Sequence, residues 1–339
     1  MLEFTIFFAA FLLTAIGVGV FKRLRISERL RDIPNERSSH VKPIPRGGGI
    51  IIVVVCLGLY MIAATATGRA IYWAYVTAGL AIAAVSWLDD LRSLPAWVRF
   101  CVHAAASLVL IAGCGWVSDV YIPLLGTYSP GFPAGALLTV IWLVWMTNAY
   151  NFMDGIDGIA GTQAVVAGAA WLVVGLLRSD GIEFVYGGII AFAAVGFLLH
   201  NWQPASVFMG DVGSAFLGFT LAAIPLLSVG DGPLQSSFGL YLSALFLWPF
   251  VFDTVYTFLR RMLKGERVWE AHRSHIYQRL VLAGYSHSYV SFMYGVLGAA
   301  TATTAIAAYY FGNLFGLFAL LAGTGTAVFP LFIARRKKV

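Results

Sequence analysis

The sequence predicts an all-α protein: a polytopic bundle of about eleven transmembrane helices in a single integral-membrane domain, 1–339. Of its 339 residues, 60% are hydrophobic and only 11% are charged, whereas a soluble domain carries about 25% charged residues. Eleven apolar stretches each approach the ~20 residues that a spanning helix requires. This pattern excludes a cytosolic enzyme, a secreted disulfide scaffold and a single-pass anchor. The continuous runs also exclude an outer-membrane barrel, whose strands are ~10-residue alternating segments.

The predicted spans are, in order, 2–21, 48–67, 70–88, 98–116, 132–150, 158–177, 184–200, 212–229, 237–259, 288–310 and 312–334. The basic cluster that begins at Lys22 follows the first span instead of preceding it. A signal peptide has the opposite charge order. We therefore expect a retained span with the N-terminus outside.

Basic residues are unevenly distributed among the connecting loops. Twenty of the 22 lysines and arginines fall on one side, in loops 22–46, 89–99 and 260–287 and in the C-terminal tail, while Arg69 and Arg178 fall on the other. The positive-inside rule makes the first side cytoplasmic. We expect a multi-pass membrane protein whose C-terminus is cytoplasmic.

Polar clusters converge on that same side from loops 22–46, 89–99, 149–157, 200–211 and 260–287, which we expect to form an active site. Asp89 and Asp90 end one apolar span, where adjacent carboxylates need a compensating cation or base. Mg²⁺ suits such a position beside phosphates, although a helix end satisfied by Arg92 is an equally good interpretation.

Two further clusters carry carboxylates between glycines. One combines four polar residues at intervals of three with Gly155 and Gly158, which favour a break in the helix; the four are Asn148, Asn151, Asp154 and Asp157. In the other, Asp211 lies between Gly210 and Gly213, where it either caps a helix or holds a metal against a phosphate.

Basic and imidazole side chains form the last of these polar clusters. His272 and His275 flank Arg273, and these residue types suit phosphate contacts. Three glycines, 47–49, follow a proline-containing first loop and permit either close packing or ligand approach. Together the clusters suit a divalent cation, a diphosphate and a lipid phosphate, and the reaction that they favour is phosphoryl transfer. Nothing in the sequence indicates nucleic-acid binding, and Cys56, Cys101 and Cys114 give no metal or disulfide pattern.

At these motifs the sequence resembles the polyprenyl-phosphate N-acetylhexosamine-1-phosphate transferases, which include enzymes that initiate O-antigen and peptidoglycan lipid intermediates. The resemblance covers Asp32 to about Ser286 and is strongest at 32–49, 89–90, 148–161 and 210–218. It implies that undecaprenyl phosphate attacks the β-phosphate of a UDP-N-acetylhexosamine, which yields a lipid-diphospho-sugar and UMP, as the first membrane step of a cell-envelope polysaccharide such as O-antigen.

The resemblance also implies residue roles. Asn151 and Asp211 would hold Mg²⁺, with Mn²⁺ as a substitute. Asp89 and Asp90 would position or deprotonate the lipid phosphate, and Asp154 and Asp157 would lie near the nucleotide. The remaining residues would contact substrate: Phe208 by stacking on uracil, Lys42 and Arg46 through phosphate, His275 and Arg273 through the diphosphate or sugar, and Asn148 as a further binding residue.

Some positions depart from the family pattern. Tyr277 and Gln278 stand where many members have two histidines, Ile44 stands where many have Thr, and Arg92 and Ser93 replace an acid or Lys. The His-Arg-Ser-His-Ile-Tyr-Gln-Arg form resembles the branch that uses 6-deoxy sugars such as UDP-N-acetylfucosamine or UDP-N-acetylquinovosamine, with UDP-N-acetylglucosamine as the other candidate.

Two other classes of function compete with a transferase. A secondary transporter of an anionic substrate would also bury polar groups, but it should place them at mid-membrane and show an inverted repeat. A non-catalytic assembly scaffold would not need the carboxylates. Membrane lipid is an expected partner in every case, and a homodimer is the oligomer that we consider.

Overall fold

The computed structural model describes residues 1–24, 27, 30–32, 43–178, 181–228, 236–266, 273–311, 323–325, 328 and 330. Helices account for most of this part of the chain. They are α1 (Leu2–Phe21), α2 (Ile50–Ala66), α3 (Trp73–Arg92), α4 (Ala96–Cys114), α5 (Phe132–Met153), α6 (Ile159–Leu177), α7 (Ile182–Asn201), α8 (Asp211–Leu227), α9 (Ser236–Phe246), α10 (Trp248–Leu263), α11 (Ile276–Leu282) and α12 (His287–Phe311).

Two short antiparallel ladders accompany the helices. Strand β1 (Arg31–Asp32) pairs with β2 (Ile44–Pro45), and β3 (Val120–Ile122) pairs with β4 (Gly126–Tyr128). The first ladder lies just before α2, and the second forms a hairpin between α4 and α5.

Seven of the described helices are long and apolar enough to cross a membrane: α1, α3, α4, α5, α6, α7 and α12. The bent pair α9–α10 passes the same test as one broken span, and α2 and α8 are shorter apolar helices. The protein is therefore a polytopic helical membrane protein. The predicted span 312–334 falls largely outside the described residues, so the count of eleven and the orientation stay predictions.

One predicted span was wrong as a continuous helix. The stretch 237–259 is divided at Leu247 into α9 and α10, whose axes differ by 81°. Pro249 lies in the first turn of α10, where its missing N–H and fixed φ are tolerated at a helix start but not in a helix interior. Hydropathy counts apolar residues and contains no information about this angle.

Two helices extend further than the apolar runs predicted, and both extensions carry polar residues of interest. Helix α3 continues to Arg92 and ends where Ser93 adopts φ 50°, so Asp89 and Asp90 lie in its last turn. Helix α5 continues to Met153 and includes Asn151. The glycine-containing break therefore begins only at Asp154.

Helix α8 lies at the centre of the bundle. Every residue from Val212 to Leu227 is buried, because several helices, chiefly α3 and α5, pack closely against α8. Helices α1, α6 and α7 form a second closely packed group, in which small residues allow near-contact: a Cβ on Gly168 would lie 2.8 Å from the Gly187 carbonyl oxygen. Since α8 is central, its first residue, Asp211, lies at one end of the bundle core.

A backbone crossing fixes the segment before α2 against the segment before α8. The Phe208 N–H donates to the Pro45 carbonyl at 2.8 Å, and the Gly48 N–H donates to the Phe208 carbonyl at 3.0 Å. A Cβ on Gly49 would lie 2.8 Å from the Met209 carbonyl oxygen and 2.5 Å from the Cα of Gly213. The glycines at 48 and 49 thus permit close backbone packing.

Candidate active site

Asp90 joins three parts of the chain at the end of the bundle. Its side chain is enclosed (0% exposed) and accepts hydrogen bonds from the backbone N–H groups of Asp211 at 3.0 Å and Val212 at 3.1 Å. The Nε of Arg46 lies 2.9 Å from the same carboxylate. Asp90 therefore caps the N-terminus of α8 from a different helix, where the helix dipole and unpaired N–H groups favour an anion.

Asp89 faces Arg99 in the first turn of α4. The guanidinium of Arg99 lies 2.6 Å from one Asp89 oxygen and 3.3 Å from an Asp211 oxygen. The other Asp89 oxygen accepts the backbone N–H of Leu94. Sequence analysis assigned Arg99 only to the charge distribution among loops. Its spacing from Asp89 gave no sign that the two residues meet.

Asp211 is the residue on which these contacts converge. One of its oxygens pairs with Arg46 and the other with Arg99. The amide of Asn151, one helix away on α5, lies near Asp211 and donates to Ser214 Oγ at 3.1 Å. The structure thus brings together four predicted residues from α3, α5, α8 and the first loop: Asp90, Asn151, Asp211 and Arg46.

Asp154 directly follows α5 and differs from the other carboxylates. It is half-buried, and no group among the described residues is seen to hydrogen-bond to its carboxylate. Burial raises its pKa well above the usual value, and the negative charges of Asp211 and Asp90 act in the same direction, while Arg46 opposes them. These surroundings therefore favour the protonated form of Asp154 unless a cation is bound beside it.

The composition of this cluster suits a divalent cation. Four carboxylates (Asp89, Asp90, Asp154 and Asp211) face two guanidinium groups, which leaves an excess of two formal negative charges. Within the described ranges no three His, Cys, Asp or Glu side chains lie at the spacing of a complete metal cage. Mg²⁺ seldom uses such a cage, since it takes one or two carboxylates and completes its shell with phosphate and water oxygens. The residues present fit that ion in the presence of a phosphorylated ligand.

Asp157 lies outside this cluster. It is 8% exposed, and its carboxylate accepts the Ala205 N–H at 3.1 Å and lies 3.4 Å from Nδ1 of His287. Its backbone carbonyl accepts the hydroxyl of Ser291. These contacts tie the loop after α5 to the 203–206 turn and to the start of α12. The geometry therefore gives Asp157 a role in shaping the loop that carries Asp154.

Asn148 contacts a histidine that sequence analysis did not select. Its Nδ2 donates to the Val144 carbonyl at 2.7 Å and lies 3.2 Å from Nδ1 of His103. His103 is 3% exposed and lies four residues after Arg99 on α4, so the two residues share a helix face. Asn148 is thus one helical turn deeper in the bundle than Asn151, behind the carboxylate cluster.

His275 is held by a buried aspartate. Its Nδ1 lies 3.0 Å from Asp253 Oδ1, and Asp253 is fully buried in α10. The same carboxylate accepts the backbone N–H groups of Ile276 and Tyr277 and the hydroxyl of Tyr294. Such donors stabilise a buried carboxylate, and an acceptor at Nδ1 places the proton of a neutral imidazole on that nitrogen. The sequence analysis assigned no role to Asp253.

Tyr277 links this histidine to the carboxylate cluster. Burial raises the pKa of its phenol, so the group stays protonated and donates to the Phe152 carbonyl at 3.0 Å. A Cβ on Gly155 would collide with this hydroxyl, so glycine is required where the loop passes over Tyr277. The side-chain oxygen of Gln278 accepts a hydrogen bond from the backbone N–H of His275. Tyr277 is thus directed into the protein, and Gln278 is half-buried against the backbone of His275.

Three predicted binding residues remain to be located, and they are Phe208, Arg273 and Lys42. Phe208 is half-buried beside Gly210, in the segment that crosses the first loop, and Arg273 is half-buried two residues before His275. Lys42 and His272 lie outside the described residues, so their predicted phosphate contacts stay predictions.

Comparison with known proteins identifies the family. A model of glycosyl transferase family 4 matches residues 72–229, which include Asp89, Asp90, Asn151, Asp154 and Asp211. A decaprenyl-phosphate N-acetylglucosaminephosphotransferase of Mycolicibacterium smegmatis is 30% identical over 307 residues, covering 82% of this chain and 75% of that protein. The chain belongs to glycosyl transferase family 4.

Two other relatives have similar names. A probable undecaprenyl-phosphate N-acetylglucosaminyl 1-phosphate transferase of Bacillus subtilis is 28% identical over 338 residues, covering 98% of this chain and 88% of that protein. A decaprenyl-phosphate N-acetylglucosaminephosphotransferase of Mycobacterium tuberculosis is 30% identical over 283 residues, covering 75% and 69%. These matches confirm the predicted family of polyprenyl-phosphate hexosamine-1-phosphate transferases and do not favour the transporter.

Proposed function

We propose that this membrane transferase moves an N-acetylhexosamine 1-phosphate from a UDP-sugar to undecaprenyl phosphate and releases UMP, as the first membrane step of a cell-envelope polysaccharide such as O-antigen. The observation that carries the proposal is the meeting of four carboxylates and two arginines at one end of the bundle, around the N-terminus of α8. Phosphoryl transfer needs little covalent chemistry from the protein and depends on positioning and charge neutralisation, which such a cluster supplies.

The chemistry assigns a task to each charged group. An oxygen of the lipid phosphate forms a bond to the β-phosphorus of the donor, and the bond from that phosphorus to the oxygen bridging to the α-phosphate breaks, with UMP as the leaving group. Arg46 and Arg99 exchange carboxylate partners for phosphate oxygens, which match their planar donors. Asp89 holds Arg99 in position, and Asp90 holds Arg46 in position and caps α8.

Mg²⁺ is the cofactor that fits these residues, and Mn²⁺ uses the same oxygen ligands. Asp211 and Asn151 would hold the ion, with Asp154 as the nearest unpaired carboxylate. The bound cation would neutralise the charge of the diphosphate. His275, oriented by Asp253 and linked through Tyr277 to the loop of Asp154, would contact the diphosphate or the sugar together with Arg273. Phe208 would stack on the uracil.

We propose UDP-N-acetylglucosamine as the donor, because N-acetylglucosamine appears in the names of several relatives. The 6-deoxy donors suggested by the sequence around Tyr277 have less support, since the phenol of Tyr277 is buried against the Phe152 carbonyl. The active site is proposed to face the cytoplasm, where nucleotide sugars are made. Membrane lipid surrounds the bundle, and a homodimer stays a prediction.

The test uses the purified full chain, Mg²⁺, undecaprenyl phosphate and separate reactions with UDP-N-acetylglucosamine, UDP-N-acetylfucosamine and UDP-N-acetylquinovosamine. We expect UMP together with a lipid-diphospho-sugar of the corresponding mass. Chelation of the metal should stop the reaction, and excess Mg²⁺ should restore it. Release of UDP in place of UMP would contradict the proposed bond cleavage. The absence of product with every donor, combined with uptake of an anion into vesicles, would favour the transporter.

A further inference from the structure

The β3–β4 hairpin presents large apolar side chains to its surroundings. Leu125 is 81% exposed, Leu124 is 59% exposed, and Tyr128 is 64% exposed. Asp119 is the only charged residue in the whole segment 115–131. Apolar side chains that cluster in this way are unfavourable in water and mark a surface that has a partner.

The turn of the hairpin retains a leucine at a position where the backbone favours a smaller residue. The Leu125 N–H donates to the Ile122 carbonyl at 3.1 Å, Pro123 is the second residue of the turn, and Leu124, the third, has φ 70°. This is a type II turn, whose third position is favourable for Gly or Asn. A bulky residue at positive φ is strained. Leu124 is therefore present even though it strains the backbone of the turn.

The base of the hairpin is fixed at the level of the ends of the spanning helices. The Val117 N–H donates to Thr139 Oγ1 in the second turn of α5, at 2.9 Å. The ring of Tyr121 stacks on Phe238 in the first turn of α9, with ring centroids 4.1 Å apart. The base of the hairpin thus contacts the first two turns of α5 and the first turn of α9.

The exposed surface of the hairpin continues along α5. Phe132, the first residue of this helix, is 59% exposed, and Leu137 is 61% exposed. Helix α5 is one of the candidate spans, so its exposed apolar residues face lipid. Trp116, at the base of the hairpin segment, packs on Phe132 with ring centroids 4.7 Å apart, so the segment joins α5 at this lipid-facing surface.

We propose that the hairpin tip, Leu124 and Leu125, inserts at the boundary between headgroups and acyl chains in the leaflet opposite the candidate active site, with a lipid surface as its partner. Helix α4 begins at Ala96, carries Arg99 of that site in its first turn and ends at Cys114, just before the hairpin segment. Its 19 residues separate its two ends by about 28 Å. Pairing of Val120 with Tyr128 and of Ile122 with Gly126 occupies backbone polar groups, as contact with lipid requires.

The test places an environment-sensitive fluorophore on the tip of the full chain. Cys56, Cys101 and Cys114 are first replaced by Ala or Ser, and Leu125→Cys is then labelled with nitrobenzoxadiazole. A matched control carries the label at Thr67→Cys, an exposed turn between α2 and α3 on the same side of the bundle. Both proteins are reconstituted into phosphatidylcholine–phosphatidylglycerol vesicles with spin-labelled lipids or with aqueous iodide as quencher.

We expect lipid spin labels at shallow acyl positions to quench the probe at 125 at least threefold more than the probe at 67, and iodide to show the reverse order. Adding Leu124→Asn, which suits the turn, should preserve or raise the unfolding temperature and yet shift the probe at 125 toward iodide quenching. Equal iodide quenching at both positions would overturn the proposal. So would a probe at 125 that neither quencher reaches, because that result means a protein partner.

Discussion

At the scale of single residues, Asp211 is the point on which the charges of the site converge. Its two oxygens pair with arginines from separate parts of the chain, Arg46 and Arg99, and α8 holds it at the end of the bundle core. Removing this one negative charge would therefore change the position of both guanidinium groups and remove a cation ligand at the same time.

We expect Asp211→Asn to lower the rate of UMP release by at least about 100-fold, a loss typical for one electrostatic group of an active site. Asn keeps the shape and one acceptor oxygen, and Asp90 still caps α8, so the unfolding temperature should change little. Asp119→Asn, at the opposite end of the molecule, serves as the matched control and should keep wild-type turnover. Unchanged turnover of Asp211→Asn would contradict the metal assignment.

A substitution of Asn151 tests the same site independently. Asn151→Ala should raise the Mg²⁺ concentration needed for half-maximal UMP release, because the ion loses one oxygen ligand. The full rate should still be approached at high Mg²⁺. A metal titration identical to that of the wild type would show that Asn151 acts only through Ser214 and Asp211.

Asp253 and His275 form a second residue-scale unit. Asp253→Asn should lower both turnover and stability, because an amide supports the imidazole less well and leaves buried donors without an anionic acceptor. Tyr294→Phe removes one donor to the same carboxylate but keeps the His275 contact. It should cost about 1 kcal/mol of unfolding free energy and leave UMP release near wild type. Equal losses of activity in both variants would refute a role of Asp253 in orienting His275.

At the scale of structural elements, the crossing of the first loop with the segment before α8 places Arg46 and Phe208 side by side. Hydrogen bonds from Phe208 and Gly48 fix this crossing, and Gly49 allows its closest approach. Phosphate-binding and base-stacking groups are therefore positioned by one backbone contact between segments that are 160 residues apart in sequence.

Two glycines test this crossing, one immediately before α2 and one within it. A Cβ on Gly49 would press against the Met209 carbonyl, whereas a Cβ on Gly58 would meet nothing within 4 Å. Gly49→Ala should destabilise the protein by about 1–3 kcal/mol and reduce UMP release, because the segment carrying Phe208 is displaced. Gly58→Ala should be neutral or stabilise α2 by up to about 1 kcal/mol. Thermal unfolding in detergent distinguishes the two, and equal stability of both variants would contradict the tight crossing.

Helix boundaries show what the sequence can and cannot predict. The first and last residues of α1 and α6 were predicted to within one residue, because such long apolar runs favour a spanning helix over any other element. The ends of α3 and α5 were placed too early, since a helix continues through Asp89, Asp90 and Asn151 when neighbouring helices satisfy these side chains. The bend at Leu247 was not predicted, because it depends on packing of α9 and α10.

The candidate site was predictable where residues cluster in sequence and not where they meet only in space. Asp89–Asp90, the Asn148–Asp157 block and Asp211 were recognisable from spacing and glycines. The pairing of Asp253 with His275 joins residues 22 positions apart across a helix end, and the contact of Arg99 with Asp211 spans 112 positions. Asp157 shares the motif of Asp154 but binds a different turn, which spacing alone does not reveal.

At the scale of the whole molecule, orientation in the membrane is the prediction on which the cytoplasmic site depends. The turns at Ser93 and Ser206 lie at the end of the bundle that carries the carboxylates, whereas Thr67 and Ser129 lie at the other end. Single cysteines at these exposed positions, in a background without Cys56, Cys101 and Cys114, therefore report the two faces separately.

We expect a membrane-impermeant maleimide added to intact spheroplasts to label Thr67→Cys and Ser129→Cys, and to label Ser93→Cys and Ser206→Cys only after the membrane is opened. Twenty of the 22 basic residues lie on the side predicted to be cytoplasmic, which gives this orientation its physical reason. Labelling of Ser93→Cys in intact spheroplasts would reverse the orientation, and labelling of Ser93→Cys and Ser206→Cys from different sides would exclude a shared site.

The cap that Asp90 provides for α8 has a consequence for genetic studies. A strain with an altered codon 90 should contain less of the protein, because the central helix begins on that side chain, so its phenotype combines reduced abundance with impaired turnover. Complementation assays would then overstate the chemical importance of position 90 relative to position 154, whose carboxylate supports no helix. Measuring protein level and specific activity in the same membranes would separate these two contributions.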